Sequence, residues 1–328
     1  MTLAGFAGGT DPGRRRRRNE DSYVIDPPLF AVADGMGGAQ AGEVASKLAA
    51  GAVKEHGADV ESLIQEANRR VHQRSLEDPN TSGMGTTLTV AEVEDGVVSI
   101  GHVGDSRAYL VRDGSLEQLT EDHSLVGELM RTGKLSAEEA VSHPQRSMIT
   151  RALGTDPNVD VDLFSVEPRV GDLFLLCSDG LTSMVDDREI LRLVGEKRDE
   201  LQELVKVLIK AANKGGGEDN ITVVAFEIGE PSDTALEDTA VVPAPTTTEQ
   251  EHEPDDEDTL TEADRVPTVD TIVVSTVEIA AAYEREQEQE QAPQPRRRRR
   301  LLTRVLSFLV VIALLFGVAY LILWGLAA

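Results

Sequence analysis

Between residues 86 and 120 apolar and polar side chains alternate with a period of two, in "TTLTVAEVEDGVVSIGHVGDSRAYLVRDGSLEQLT". That period places successive side chains on opposite faces of a strand. The dipeptides Asp95-Gly96 and Asp113-Gly114 interrupt it with hairpin-turn chemistry, so the stretch predicts a β-meander. A further strand pair is predicted within residues 160–180, and another strand at "ITVVAFEI". Helical periodicity appears at residues 41–55, 60–77, 188–194 and 201–213, and Ser136 with Glu139 has the spacing of a capping box. Strands grouped as hairpins, with helices between the groups, predict antiparallel sheets with helices packed outside, an α+β layering.

The pattern changes after residue 229. Residues 230–295 are rich in Glu, Asp, Thr, Pro and Gln and hold too little apolar surface to offset ordering entropy. They predict a disordered acidic linker, with "TIVVSTVEIAAAY" as its one apolar island. Residues 296–304 form a basic juxtamembrane segment that opens with five consecutive arginines. Residues 305–328 carry no charge, and 24 residues make a helix of about 36 Å. The expectation is a transmembrane helix over 305–325, with the arginines on the cytoplasmic side. Residues 1–229 would then be a monomeric cytoplasmic head of a single-pass protein of the cell membrane.

Composition narrows the chemistry. The lone cysteine, Cys177, excludes an internal disulfide framework and a cysteine-cluster metal site. Of the net charge of −26, the linker contributes −17, residues 296–328 contribute +6 and residues 1–229 contribute −15. An acidic head repels nucleic acid, but it can bind a phosphate group where a metal supplies local positive charge.

In "FAVADGMGGAQAGEVAS" an apolar run ends on Asp34, followed by Gly35. A carboxylate at the end of a buried strand is costly unless it is paired or metal-bound. The arrangement recurs: Asp179-Gly180 follows "DLFLLC", Asp219-Asn220 precedes "ITVVAFEI", Asp105 sits between strands, and Glu20-Asp21 precedes another. Five acidic sites at strand junctions, with a glycine leaving a backbone carbonyl unhindered, form a ligand set for Mg²⁺ or Mn²⁺.

The motifs "RRRNED", "ADGMGG", "GMGTT", "GDSR", "SHPQRSMITRALG", "LLCSDGL" and "GGEDNITVV" follow one another through residues 2–228. In that order they resemble the metal-dependent serine/threonine protein phosphatases, the PPM or type 2C family, and most nearly its bacterial membrane-tethered branch. The resemblance implies a four-layer α-β-β-α sandwich of two antiparallel sheets flanked by helices, with two Mn²⁺ or Mg²⁺ ions in a cleft at one end and a third, more weakly held ion. It implies that Asp34 bridges the two metals, that Gly35 lends its carbonyl, and that Asp179, Asp219 and Glu20 complete the two sites. Asp105 with Asp179 matches the third ion. Asp21 would orient metal-bound water, and Arg16, four residues before Glu20, would grip the phosphate. The implied partners are phosphorylated proteins, membrane Ser/Thr kinases among them.

Met36 stands where many eukaryotic members carry a proton-donating histidine. A metal-bound water or His143 is the alternative donor; His143 lies beside a flap placed near residues 125–143, and a structural role fits it better. A cysteine-dependent phosphatase needs an arginine six residues after Cys177, and position 183 is Ser. No Walker-type loop is present. The rival reading is a membrane-anchored, non-catalytic phosphoprotein-binding scaffold, and a phosphatase of small molecules is a third. A scaffold has no need of a complete set of metal carboxylates, and here the set is complete. Thr259, Thr261, Thr268 and Thr271, set among acidic residues of the linker, resemble kinase sites.

Overall fold

The computed structural model describes residues 2–37, 41–55, 57, 59–136, 139–140 and 143–230, with the backbone of 272–273. In chain order the elements are β1 (Thr2–Asp11), β2 (Asp21–Asp26), β3 (Leu29–Met36), α1 (Ala41–Val53), α2 (Val60–Glu77), β4 (Gly85–Thr86), β5 (Leu88–Glu94) and β6 (Val97–Val103). There follow β7 (Arg107–Arg112), β8 (Ser115–Gln118), α3 (Leu125–Arg131), β9 (Met148–Ile149), β10 (Asp162–Val166) and β11 (Leu173–Cys177). The last are α4 (Asp179–Thr182), α5 (Asp187–Lys197), α6 (Leu201–Gly215), β12 (Ile221–Gly229) and β13 (Ile272–Val273).

Two antiparallel sheets result, ordered β1-β12-β11-β7-β8 and β10-β6-β5-β3-β2. The period of two divides each central strand between two cores. In β12, Val224 and Phe226 face the other sheet, while Val223 and Ala225 face α5 and α6. In β3, Phe30 and Val32 face the opposite sheet, while Ala31 and Ala33 lie under α1 and α2. Phe30 stacks on Phe226 at 4.3 Å between ring centroids, and Phe226 on Phe174 at 5.0 Å. Helices cover both outer faces, which gives the expected α-β-β-α layering. Burial on both faces is why these strands read as unbroken apolar runs.

The helices sit close to their predicted positions, and α2 coincides with residues 60–77. Ser136 N donates to Glu139 Oε2 at 2.9 Å and Glu139 N to Ser136 Oγ at 3.3 Å, the reciprocal bonds of a capping box. Asp95 and Gly96 have φ of 51° and 77°, and Asp113 and Gly114 have 51° and 76°, the paired left-handed values of two-residue hairpins.

Two strand expectations need correction. The meander breaks at its middle: β5 pairs with β6 and β7 with β8, but β6 and β7 lie in different sheets, joined by Gly104, Asp105 and Ser106. Likewise β10 pairs with β6, and β11 lies between β7 and β12, so the strands of 160–180 are not partners. Alternation reports a strand's faces, and pairing depends on which edge is free.

The membrane part of the expected architecture is also corrected. Among the described residues no helix is long and apolar enough to cross a membrane. The apolar helix α1 has 13 residues, about 20 Å against a hydrocarbon core of about 30 Å. The 18-residue α2 carries Glu66, Arg69 and Arg70. The segments read as linker, basic stretch and spanning helix lie outside the described residues, apart from 272–273. The C-terminal anchor, the membrane as a partner and the single-pass localisation are accordingly withdrawn. Ile272–Val273, from the apolar island, runs parallel to β9 in register with Met148–Ile149.

Candidate active site

The apolar layer between the sheets turns polar at one end. Asp34 continues the alternation of Phe30 and Val32, so it faces the opposite sheet. Asp21 is its direct cross-strand neighbour on β2 and shares that face. Across the gap, Thr222 continues the phase of Val224 and Phe226, and Ser178 that of Phe174 and Leu176. Asp179 opens α4, Asp219 lies two residues before β12, and Asp105 lies in the crossover between the sheets. Asp34 itself lies inside β3, which runs on to Met36 because Gly35 and Met36 pair with β4.

Backbone contacts hold these groups in place. Asp34 N donates to Thr87 Oγ1 at 2.9 Å, and its carbonyl accepts from Thr87 N at 2.9 Å and Thr86 Oγ1 at 2.8 Å. Thr87 Oγ1 in turn contacts Ser106 Oγ at 2.8 Å, beside Asp105. A Cβ on Gly180 would lie 2.0 Å from the carbonyl oxygen of Asn220. That close approach sets the Asp179 and Asp219 turns against each other.

Asn220 ties down the N-terminal loop. Its amide donates to the carbonyls of Pro12 at 3.0 Å and Arg18 at 2.8 Å, and its Oδ1 accepts from Glu20 N at 2.8 Å. Arg16 Nη2 meets Asp219 Oδ2 at 2.9 Å. Burial pulls the Arg16 pKa down, but Asp219, with Asp34 and Glu20 beyond it, more than compensates.

The carboxyls resist ionisation. Burial, joined by Asp21, Asp179, Asp219 and Asp105, pushes Asp34 well above the ordinary carboxylate range. Asp179 is shifted the same way by burial and by Asp105, Asp219 and Asp21. Burial raises Asp21 to about 6, and burial with Asp122 raises Asp105 to about 7. Asp21 Oδ1 and Asp179 Oδ1 are buried without a hydrogen-bond partner. Among the described residues no three acidic, His or Cys side chains close into a complete metal cage. Mg²⁺ and Mn²⁺ do not require one, since they retain several waters and take one or two carboxylates. Hard oxygen donors, massed like charge and two orphaned buried oxygens fit hydrated divalent cations.

Next to this cluster lies a cavity of about 820 Å³, lined by Asp105, Asp179, Thr182, Arg146, Arg151 and the α3 side chains Val126 and Met130, among others. Described residues of the 125–143 segment, Val126, Met130 and Ala140 among them, thus line one wall.

The family described as Protein phosphatase 2C matches residues 14–217. This chain belongs to that family. A serine/threonine phosphatase, stp, of Listeria monocytogenes is 43% identical over 236 residues, 66% of this chain and 93% of that protein. The crystal structure of the Mycobacterium tuberculosis serine/threonine phosphatase PstP/Ppp superposes with a TM-score of 0.66 at 40% identity, covering 70% of this chain and 100% of that one. The catalytic domain of PstP in complex with two manganese ions superposes with a TM-score of 0.64 at 38% identity, covering 70% and 99%. The likeness thus covers the sandwich.

Within this type 2C phosphatase the structure brings Asp21, Asp34, Asp105, Asp179 and Asp219 into mutual electrostatic contact, with Arg16 beside them. Glu20 is placed by its backbone bond to Asn220, and Gly35 by pairing with Thr86. Met36 packs with Ile149 and Ala152. His143 is not part of the cavity wall, and its Nδ1 accepts from Gln145 N at 3.2 Å. His123 does line the cavity, but its Nδ1 accepts from Gly104 N at 3.0 Å and its Nε2 lies 3.1 Å from Asp162 Oδ2. That histidine braces the Asp105 crossover. The sequence reading passed over Asn220, Thr87, Ser178 and Thr222, all adjacent to the motif carboxylates or inside the same motifs.

Proposed function

We propose that this chain hydrolyses phosphoserine and phosphothreonine esters in proteins, opposing Ser/Thr kinases, with Mn²⁺ or Mg²⁺ as cofactor. The observation that carries the reading is the buried carboxylate cluster with two orphaned oxygens, set beside a cavity that Asp105 and Asp179 line, with Arg16 paired to Asp219 of the same cluster. Asp34, Asp179, Asp219, Glu20 and the Gly35 carbonyl would hold two ions, and Asp105 with Asp179 a third. When bound, such ions neutralise phosphate charge and acidify a water for in-line attack on phosphorus.

The chain's own side chains do the positioning. Arg16 retains guanidinium N–H groups beyond the one on Asp219 and presents them to equatorial phosphate oxygens. Asp21, buried and accepting hydrogen bonds on one oxygen only, offers the other to a water proton. The Met36 thioether has no proton to give, so it plays no part in protonating the leaving oxygen.

Phosphothreonine-peptide hydrolysis assayed with and without Mn²⁺ tests the reading, and Arg16→Lys sharpens it. Lysine keeps the charge but loses the fork, so kcat/KM is expected to fall about 10–100-fold at unchanged Mn²⁺ affinity. A purified chain that binds phosphopeptide but does not turn it over with Mn²⁺ would instead be the scaffold.

Metal should also reverse the pH dependence of stability. The folded state holds Asp21 and Asp105 protons up to about 6 and about 7, whereas an unfolded carboxyl releases its proton near 3.8. The folded chain therefore binds more protons than the unfolded one across that window, and these groups make the metal-free protein less stable as pH rises through it. A dication favours the ionised forms. The rise in Tm on adding Mn²⁺ is thus expected to be several degrees larger at about pH 8 than at about pH 5.5. A rise that is flat or shrinks with pH would contradict metal held by these carboxylates.

A further inference from the structure

Asp21 sits in a hydrogen-bond ring that begins and ends on itself. Its backbone N–H donates to Asn19 Oδ1 at 3.1 Å. Asn19 Nδ2 donates to Thr10 Oγ1 at 2.7 Å, Thr10 Oγ1 lies 2.7 Å from Thr222 Oγ1, and Thr222 Oγ1 donates to Asp21 Oδ2 at 2.6 Å. Ser178 Oγ adds a second donation to the same oxygen at 2.9 Å, and itself accepts from Thr222 N at 3.0 Å.

The ring has one direction. With Asn19 Oδ1 held by the Asp21 amide, its Nδ2 must face Thr10, and an amide nitrogen only donates. Thr10 accepts that bond and spends its single proton on Thr222. Thr222 accepts it and spends its own proton on Asp21 Oδ2. Every hydroxyl is both acceptor and donor, the arrangement in which each bond strengthens the next. The reverse order would require a donor that Thr222 has already used.

The ring also crosses the sandwich. Thr10 and Thr222 are cross-strand partners in one sheet, and Asp21 opens β2 in the other. Thr222 is fully buried, whereas Thr10 lies at the surface. All the donors converge on Oδ2, and Oδ1 is left buried with no protein partner.

We propose that Thr222, backed by Thr10 and Asn19 and flanked by Ser178, is the positioning residue that fixes the Asp21 carboxylate with Oδ1 turned into the catalytic cluster. The inference rests on the role given to Asp21 under the proposed function. A hydroxyl ring at a sheet end is otherwise unneeded for packing, since valine fills the same volume at either threonine.

The test uses the full chain. Thr222→Val removes the final donor and keeps the shape. It is expected to lower kcat for p-nitrophenyl phosphate about tenfold, with KM within about twofold, the range seen for groups that orient metal-site residues. Calorimetric titration of the metal-free protein with Mn²⁺ should show an affinity loss of about three- to tenfold. Thr222→Ser should restore both. Thr10→Val, at an exposed position whose loss threatens folding less, should give a smaller kcat loss of about two- to threefold, transmitted through the ring.

Asp21→Ala separates the two levels. Wild-type kcat and Mn²⁺ affinity in Asp21→Ala would overturn the role of Asp21 itself. An impaired Asp21→Ala beside a Thr222→Val of wild-type kcat and Mn²⁺ affinity would overturn the ring alone. A Thr222→Ser as impaired as Thr222→Val would show that packing, not the hydroxyl, matters, and would overturn it equally.

Discussion

Asp34→Asn is expected to reduce kcat about a thousandfold or more while raising the melting temperature of the metal-free protein, two effects of opposite sign from one lost charge. Asn keeps the shape, and the backbone bonds to Thr86 and Thr87 involve no side-chain oxygen of Asp34, so the strand survives the change. In the metal-free protein the Asp34 carboxyl is disfavoured by burial and by four neighbouring aspartates. Removing it relieves that repulsion, by an amount on the order of 1 kcal/mol. With metal present the proposed assignment makes the same charge the attraction that would bind the ions, so its loss would remove positive charge from the place where phosphate must sit. Thermal melts without metal, and steady-state rates at rising Mn²⁺, check both signs. A variant keeping most wild-type turnover at saturating Mn²⁺ would refute the bridging assignment. The pairing of higher stability with lost activity is what a functional cluster of like charges predicts.

Gly35→Ala is expected to cost about 3 kcal/mol or more of stability and to abolish activity with it. The added Cβ would lie 2.1 Å from the Gly42 carbonyl oxygen, 2.5 Å from its carbon and 2.6 Å from the Glu20 carbonyl oxygen. All three are backbone atoms, so no rotamer change relieves the clash. Relief requires β3, which carries Asp34, to move away from α1 or from the loop that carries Glu20. Chemical denaturation of the variant against wild type measures the cost. A stability loss below about 1 kcal/mol would mean that the α1–β3 contact is far more yielding than its geometry indicates. A Cβ on Gly180 would lie a comparable 2.0 Å from the Asn220 carbonyl oxygen, which makes Gly180→Ala an independent repeat at the Asp179 turn.

Much of this was legible along the chain because it is local. The periods of 3.6 and 2 that place α2, α6 and β12 depend only on neighbouring residues, as do the left-handed hairpin turns at Asp95-Gly96 and Asp113-Gly114. The acidic residues stood out because a carboxylate that interrupts an apolar run has no packing reason to be there. Their spacing within motifs, rather than their periodicity, carried the resemblance to phosphatases.

What the chain alone did not disclose is long-range. Nothing in "GHVGDSRAYL" indicates that Asp105 marks a passage from one sheet to the other, because alternation is the same whichever partner a strand takes. The reading of an uncharged C-terminal run as a membrane helix rested on length and hydropathy, and no described helix bears it out. Asn19, Thr10 and Thr222 look like ordinary turn and strand residues, yet they meet across up to 212 positions of sequence to hold one carboxylate.

The amino-acid order by itself determined which segments are helices and strands, which face of each is apolar, and that five acidic positions interrupt the pattern. Only the tertiary structure decided that those interruptions fall at one end of one interior layer, that two carboxylate oxygens there are buried without partners, and that hydroxyls from the facing sheet aim one of them. The division has a physical cause: secondary structure follows from backbone geometry within a few residues, whereas a site built from massed like charges exists only where distant strands pay its electrostatic cost together.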